Sequence, residues 1–168
     1  GGKNRQQSAF NALKYLNSIK GISKVLIHDV ARPNFSTKLF GSIIKNMKNA
    51  RAVVPKIRIH DAIKQIIDSS KEEYIVGKRR DNLFLTQTPQ AFNLKEIYLL
   101  HKTNSGKYKD DDISLYMDLN KVKFIEGEKN NFKITEQIDF ENLKNVYKIK
   151  QSVGIGFDVH RLAPKRNL

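Results

Sequence analysis

The chain has 168 residues and a mass of 19.4 kDa, enough for one domain with a hydrophobic core. It carries 31 basic against 17 acidic side chains, a net charge of +14, which favours phosphate-bearing partners without choosing among nucleotides, nucleic acid and anionic lipid. The absence of cysteine excludes disulfides, thiolate metal ligands and thiol nucleophiles, and no apolar run approaches the roughly 18 residues of a membrane span.

The first third of the chain alternates helix and strand. Apolar spacing predicts a helix from Asn4 to Lys20 and a strand from Lys24 to His28. Ser36 can cap a second helix over 37–49, and a buried strand over 51–55 follows. This alternation favours an α/β fold with a mostly parallel sheet flanked by helices.

An acid and a base follow the first predicted strand directly. Asp29 stands at its carboxyl end, where open α/β sheets bind ligands, and can hold a metal or a sugar hydroxyl. Arg32 can grip a phosphate with its planar guanidinium, and Pro33 restricts the backbone before it. The pattern is also typical of a strand-end Asp that caps a turn beside a solvated Arg.

Residues 57–79 break this rhythm. Alternating and β-prone segments flank a turn at 69–72, which predicts a β-hairpin. Because it is too long and one-sided for an ordinary connection, we expect an arm that packs on another subunit. A surface hairpin in a monomer is the alternative.

The second half predicts a loop, three further helices and two short strands. Three carboxylates at 110–112 precede one of the helices, where they suit its macrodipole. The predicted elements are a loop over 86–92, a helix over 94–101 capped by Asn93, a short helix over 113–119, strands over 122–125 and 132–134, and a last helix capped by Thr135 that ends near Tyr147.

Five short motifs occur in the order and spacing of one enzyme family. They are Gly1-Gly2 with Arg5 and Ser8, then Asp29 to Pro33, Thr88 to Phe92, Asp111-Asp112, and Asn131 to Thr135. Over residues 1–147 the chain thereby resembles the later part of 2-C-methyl-D-erythritol 4-phosphate cytidylyltransferase. Residues 154–161 are similar to the opening strand of 2-C-methyl-D-erythritol 2,4-cyclodiphosphate synthase. In tandem they resemble the fused bifunctional enzymes of the non-mevalonate isoprenoid pathway.

The resemblance implies a Rossmann-like nucleotidyltransferase fold with a protruding hairpin arm over 57–79. It implies transfer of a cytidylyl group from CTP to 2-C-methyl-D-erythritol 4-phosphate, with release of pyrophosphate. The expected organisation is a cytidylyltransferase domain over 1–147, a linker over 148–152 and the start of the synthase domain over 153–168. The arm implies a homodimer, and a complete second domain implies a trimer.

The resemblance also assigns roles to single residues of the first domain. Arg80 and Lys133 are implied as the catalytic pair that positions the acceptor phosphate, Asp29, Arg32 and Thr88 as acceptor-binding, Gly2, Ser8 and Val30 as nucleotide-binding, and Asp29 also as a neighbour of magnesium. We therefore expect Asp29, Arg32, Arg80 and Lys133 to converge on one anion-sized hollow, which a second copy of the chain can complete.

A second candidate metal site lies near the end of the chain. Asp158 and His160 are two residues apart on a predicted strand, so both face one side of it and can share a divalent ion. The resemblance implies zinc or another divalent metal, with a third ligand, a His, beyond Leu168. A turn Asp beside a surface His is the alternative.

The chain departs from the family pattern in three respects. Ala62 stands where the family often has Thr, and Lys3 where it often has an acid. No counterpart of the family's N-terminal strand, glycine-rich phosphate loop, or transition-state Arg and Lys is visible. We therefore expect a fragment that is inactive by itself, since each lost charge-neutralising donor costs about 10²–10³ in rate.

Two other functions fit the composition. The charge of +14 suits a basic nucleic-acid-binding α/β module, although no such binding signature is visible. Another sugar nucleotidyltransferase on the same scaffold is the second alternative. We expect a cytoplasmic protein with neither nucleic acid nor a membrane as its partner.

Overall fold

The computed structural model describes residues 1–68, 73–76, 80–104, 109–116 and 119–147. They belong to two compact units, of which the first is Gly1–Thr135 and the second begins at Glu136. The predicted linker over 148–152 and the segment over 153–168, with Asp158 and His160, lie outside the described residues. No helix in the described part of the chain is long and apolar enough to cross a membrane.

The first unit is organised around a five-stranded sheet, and the second contributes one described helix. The described strands are β1 Lys24–Ile27, β2 Ala52–Arg58, β3 Lys64–Asp68, β4 Glu73–Val76, β5 Phe84–Thr86, β6 Gln90–Asn93 and β7 Val122–Glu126, and the helices are α1 Arg5–Ser18, α2 Thr37–Asn46, α3 Leu94–Thr103 and α4 Gln137–Tyr147, with short 3₁₀ turns at Arg80–Asn82 and Ile113–Leu115.

The sheet is mixed. β6 lies between β1 and β2 and runs antiparallel to both, while β7 pairs with β2 in parallel. β1, β2 and β7 therefore point the same way. The predicted α/β class with helices flanking a sheet is confirmed, but the sheet is not mostly parallel at the level of paired strands, because β5 and β6 return antiparallel to β2.

β5 and β6 form one interrupted strand along a single edge of β2. Between the pairs Val53–Ala91 and Lys56–Thr86, β2 advances three residues while its partner advances five. Gln87, Thr88 and Pro89 fill this bulge, so their side chains do not follow the regular alternation between the two faces of the sheet. The predicted loop over 86–92 is wrong at both ends, because Thr86 and residues 90–92 are paired in the sheet.

Apolar packing covers both faces of the sheet. Ala52, Val53 and Val54 are fully buried, and they alternate between two hydrophobic clusters. Ala52 and Val54 pack with residues of α1 and α3, whereas Val53 packs with residues of α2. Burial on both faces explains the unbroken apolar run in β2.

The helix starts agree closely with the sequence. The side chains of Asn4, Ser36 and Asn93 each accept a backbone N–H of the first turn, as N-cap residues do. The predicted caps Ser36 and Asn93 are confirmed.

Other boundaries differ. Of the predicted helix over 113–119, the described residues 113–116 contain only the 3₁₀ turn Ile113–Leu115, and residues 117–118 lie outside the described residues. Residues 132–134 form no strand: the N–H of Ile134 instead donates to the carbonyl of Ala31, 2.8 Å away.

Part of the predicted hairpin over 57–79 is present as an antiparallel pair of β3 and β4, with an irregularity between Ile66 and Asp68. Its first two residues, Ile57 and Arg58, instead belong to β2 and pair with β5. Within the described residues this pair forms a separate two-stranded sheet. Its turn at 69–72 and residues 77–79 lie outside the described residues. Packing of this arm on a second subunit stays a prediction.

Replacement of Ile97 tests the core. Ile97 is fully buried on α3, whereas Leu99 on the same helix is 55% exposed. Ile97→Ala should lower the free energy of unfolding by about 2–5 kcal/mol, because it removes buried methyl groups and leaves a cavity. Leu99→Ala should change it by less than about 0.5 kcal/mol. Urea denaturation of both variants measures the difference, and equal effects would contradict this assignment of the core.

Candidate active site

A cavity of about 510 Å³ opens beyond the carboxyl end of β1. Charged residues from distant parts of the chain line it, namely Arg5, Asp29, Arg32, Asp110, Asp111 and Lys133. Its other lining residues include Thr88, Phe84 and Phe124. Its position agrees with the general placement of ligands at strand ends in α/β sheets.

One carboxylate in this cavity faces two cations. Oδ2 of Asp29 lies 3.7 Å from Nε of Arg32 and 3.4 Å from Nζ of Lys133. Arg32 also donates from Nη1 to the carbonyl of Asn131, at 2.8 Å. Burial lowers the pKa of Arg32, and the charge of Asp29 partly offsets that effect. The lining as a whole has three cations and three carboxylates, but around Asp29 two positive charges face one negative charge, which suits the binding of an anion at this point.

The turn that carries Asp29 is held by a short chain of hydrogen bonds. The Asp29 N–H donates to Oγ1 of Thr88 at 3.0 Å, and this hydroxyl lies 3.1 Å from Nδ1 of His28. Nε2 of His28 lies 2.9 Å from the carbonyl of Arg32. The Arg32 N–H closes the turn on the carbonyl of Asp29, at 2.9 Å. His28 therefore spans the turn from inside, and its ring packs edge-on against Phe35 at 4.6 Å.

A buried amide joins the bulge between β5 and β6 to the loop that follows β7. The side chain of Gln87 accepts the N–H of Glu128 at 3.0 Å and donates to the Glu128 carbonyl at 2.9 Å. It also donates to the carbonyl of Asn131, at 3.1 Å. Asn131 in turn donates its side-chain amide to the Thr88 carbonyl, at 2.9 Å. These bonds fix the carbonyl that holds Arg32.

Two more contacts tighten this loop. The Glu128 carboxylate accepts the N–H and the hydroxyl of Ser36, which ties the loop to the start of α2. Gly127 lies so close to Gln87 that a β-carbon there would collide with Oε1 of its side chain. Such a β-carbon would also lie 3.0 Å from the backbone carbonyl of Lys56, so glycine is favoured at this close approach.

Asp111 organises the polar floor of the cavity. One of its oxygens accepts from Thr86 at 2.8 Å and Gln90 at 3.0 Å, and the other accepts from the N–H and hydroxyl of Ser114. Burial alone would raise the pKa of Asp111, but hydrogen bonds from Ser114, Gln90 and Thr86 outweigh it and hold the pKa below its usual 3.8.

The adjacent Asp112 is a buried ion-pair partner. One oxygen lies 2.5 Å from Nη2 of Arg5 and the other 2.9 Å from Nε2 of His101. The side chains of Asp112 and His101 are each 1% exposed. The macrodipole interpretation of residues 110–112 is therefore insufficient, because specific side-chain contacts account for two of the three carboxylates.

Four other predicted site residues in the described part of the chain do not line this cavity. Arg80 is exposed, donates to the carbonyl of His60 and is absent from the cavity lining. The Gly2 N–H donates to the Ser8 hydroxyl at 2.9 Å, which donates to the Asn4 carbonyl at 3.0 Å. Val30 is 95% exposed. Within one chain, the structure thus brings together Asp29, Arg32, Lys133 and Thr88 of the predicted residues.

The described residues contain no group of three His, Cys, Asp or Glu side chains that could hold a metal ion. The predicted ligands Asp158 and His160 lie outside the described residues. Asp29 shares the cavity lining with Asp110 and Asp111 and already faces two cations.

The roles of His28, Gln87 and Asn131 did not follow from the sequence. His28 directly precedes Asp29, and this adjacency was the feature of the sequence that could have indicated a role for His28 at the site. Gln87 and Asn131 are separated by 44 positions, and no periodic pattern relates them.

Replacement of Asp111 tests the cavity floor. Asp111→Asn should lower the free energy of unfolding at pH 7 by about 1–3 kcal/mol, because four hydrogen bonds lose their ionised acceptor. Since the folded pKa is depressed, the contribution of Asp111 is complete above 3.8 and is lost as pH falls through the folded value.

Denaturant unfolding at pH 7 and at lower pH measures this change. The gap between the wild type and Asp111→Asn should shrink below pH 3.8. The exposed neighbour Asp110→Asn is the matched control and should leave the stability near that of the wild type. A gap that stays constant with pH would refute the assignment.

Comparison with known proteins agrees with the geometry. Residues 1–147 match the family described as 2-C-methyl-D-erythritol 4-phosphate cytidylyltransferase. The chain is 40% identical over 168 residues to the bifunctional enzyme IspD/IspF of Pelagibacter ubique, covering 100% of this chain and 43% of the relative. It spans less than half the length of the curated relatives it matches.

Solved structures give the same result. The 2-C-methyl-D-erythritol 4-phosphate cytidylyltransferase of Thermus thermophilus superposes with a TM-score of 0.76 at 29% identity, covering 89% of this chain and 72% of that one. The bifunctional IspDF of Campylobacter jejuni gives a TM-score of 0.69 at 27% identity, covering 84% and 35% respectively. The predicted Rossmann-like nucleotidyltransferase fold is confirmed. The chain belongs to the 2-C-methyl-D-erythritol 4-phosphate cytidylyltransferase family.

Proposed function

We propose that this chain is part of a longer protein that transfers a cytidylyl group from CTP to 2-C-methyl-D-erythritol 4-phosphate. An oxygen of the acceptor phosphate forms a bond to the α-phosphorus of CTP. The bond between the α-phosphorus and the oxygen that bridges to the β-phosphorus breaks, and pyrophosphate leaves. The observation that carries the proposal is the meeting of Asp29, Arg32 and Lys133 in one cavity. Family membership supplies the substrate class.

The reaction brings two anions together, so its main requirements are positioning and neutralisation of charge. Arg32 and Lys133 offer two cationic donors to the acceptor phosphate, and the carbonyl of Asn131 keeps Arg32 in place. Asp29 and Thr88 offer oxygen atoms to the hydroxyl groups of the same acceptor. Such prearranged donors act on the transition state without the cost of reorganisation.

The nucleotide would lie on the side of the cavity formed by the start of α1 and the turn after β1. Gly2, Ser8 and Val30 are the contacts that we propose there. The bond from the Gly2 N–H to the Ser8 hydroxyl supports the assignment, since it brings the two residues together at the start of α1.

Arg80 is proposed to act on the acceptor of a neighbouring chain. It is exposed, and its bond to the carbonyl of His60 places it at the base of the hairpin arm. A homodimer in which the arms are exchanged would carry this cation to the partner's cavity. The segment after the linker over 148–152 would begin a cyclodiphosphate synthase domain over 153–168, which forms trimers when complete, with Asp158 and His160 as ligands of zinc or another divalent metal.

Magnesium fits the first site only together with substrate phosphates. This ion is usually bound through one or two carboxylates plus phosphate oxygens and water. Asp29 would be the protein ligand through Oδ1, since Arg32 and Lys133 both contact its other oxygen, Oδ2. When bound, magnesium would neutralise negative charge on the nucleotide phosphates. We place the activity in the cytoplasm.

The proposal is tested by removing one cation. In the longer gene product, Lys133→Ala should lower kcat/KM for the acceptor by about 10²–10³, because a charged donor to the transition state is lost. Lys129→Ala is the matched control, since Lys129 is exposed on the same loop and does not line the cavity. Pyrophosphate release with CTP and magnesium measures both variants.

Equal rates in the two variants would refute the role of Lys133. Equal use of other nucleoside triphosphates would instead favour another sugar nucleotidyltransferase. Salt-dependent binding of duplex DNA without nucleotide preference would favour the nucleic-acid-binding alternative.

A further inference from the structure

We infer that His28 is a positioning residue that makes the Thr88 hydroxyl an obligatory hydrogen-bond acceptor, so that this end of the cavity selects a hydroxyl group of the substrate. The inference rests on the proposed function and adds a residue that sets the direction in which the sugar-alcohol phosphate is bound.

The partners of His28 determine its tautomer. A carbonyl oxygen can only accept, so the 2.9 Å contact with the carbonyl of Arg32 requires a hydrogen on Nε2. In the neutral imidazole, Nδ1 then has a lone pair and no hydrogen. The contact of 3.1 Å between Nδ1 and Thr88 Oγ1 must therefore be a bond donated by the Thr88 hydroxyl.

This leaves the Thr88 hydroxyl with one free function. A hydroxyl has one hydrogen and two lone pairs. The hydrogen goes to His28, and one lone pair accepts the Asp29 N–H at 3.0 Å. Thr88 is 4% exposed and lines the cavity, and we assign the second lone pair of its hydroxyl to a ligand.

The cavity consequently contains one group of side chains that accept hydrogen bonds and another group that donate them. Asp29 and Thr88 can only accept hydrogen bonds, whereas Arg32 and Lys133 can only donate them. A sugar-alcohol phosphate satisfies both groups when its hydroxyl meets the acceptors and its phosphate meets the cations. The reversed orientation would place phosphate oxygens, which also accept hydrogen bonds, against the acceptor oxygens of Asp29 and Thr88 and is disfavoured.

Two substitutions at one position separate this role from simple support of the turn. The amide of an asparagine side chain lies near the position of Nδ1, and that of glutamine near Nε2. H28N therefore keeps an acceptor for Thr88 but loses the bond to the Arg32 carbonyl. H28Q keeps the bond to that carbonyl but frees the Thr88 hydrogen.

The experiment compares two ligands in the longer gene product. For H28Q we expect KM for 2-C-methyl-D-erythritol 4-phosphate to rise roughly tenfold, the equivalent of one neutral hydrogen bond, with kcat nearly constant. Inhibition by ethyl phosphate, which has a phosphate but no hydroxyl, should change less than about twofold. H28N should keep most of the wild-type preference. Equal effects of H28N and H28Q, or equal weakening of both ligands by H28Q, would overturn the assignment.

A spectroscopic measurement provides a readout independent of activity. Nitrogen-15 NMR of the chain at pH 8 should show His28 with hydrogen on Nε2 and none on Nδ1, and loss of these signals in H28Q identifies them among the four histidines. The Nδ1–H tautomer would overturn the inference while leaving the proposed function intact. Absence of cytidylyl transfer by the wild type would overturn the proposed function and the inference together.

Discussion

The buried side-chain amide of Gln87 is the contact on which the rest of the site depends. It pairs with the backbone of Glu128 much as one peptide group pairs with another, and it reaches Asn131 as well. Because Gln87 is 2% exposed, an unpaired amide here would be costly. Its bonds hold the loop after β7 against the bulge between β5 and β6, and this loop presents the carbonyl that fixes Arg32.

The charge of the site is local and differs in character from the charge of the whole chain. Most of the basic residues are dispersed lysines, and a net charge of +14 would attract many anions. At the cavity, Asp29 balances part of the charge of Arg32 and Lys133, which allows a guanidinium that is only 15% exposed to remain in place. Specificity then comes from where donors and acceptors stand, and much less from total charge.

Local features of the sequence predicted local structure well. The N-caps Ser36 and Asn93, the apolar run in β2 and the helix α3 depend on neighbouring residues, so their patterns sufficed. Contacts between distant segments did not follow from periodicity: the meeting of Asp29 with Lys133 was expected only through family resemblance. The segment over 132–134 alternates like a strand, yet Ile134 bonds to Ala31 in a turn and not to a sheet partner.

Gly127 and Gln87 show how such a site restricts the routes open to evolution. A side chain at position 127 would occupy the space of the Gln87 amide and press on the backbone carbonyl of Lys56, and a smaller residue at position 87 would remove the first of these contacts. A smaller residue at 87, however, gives up the bonds that organise the loop. Each single step passes through a less stable protein, and the two positions are therefore expected to change as a pair or remain as they are.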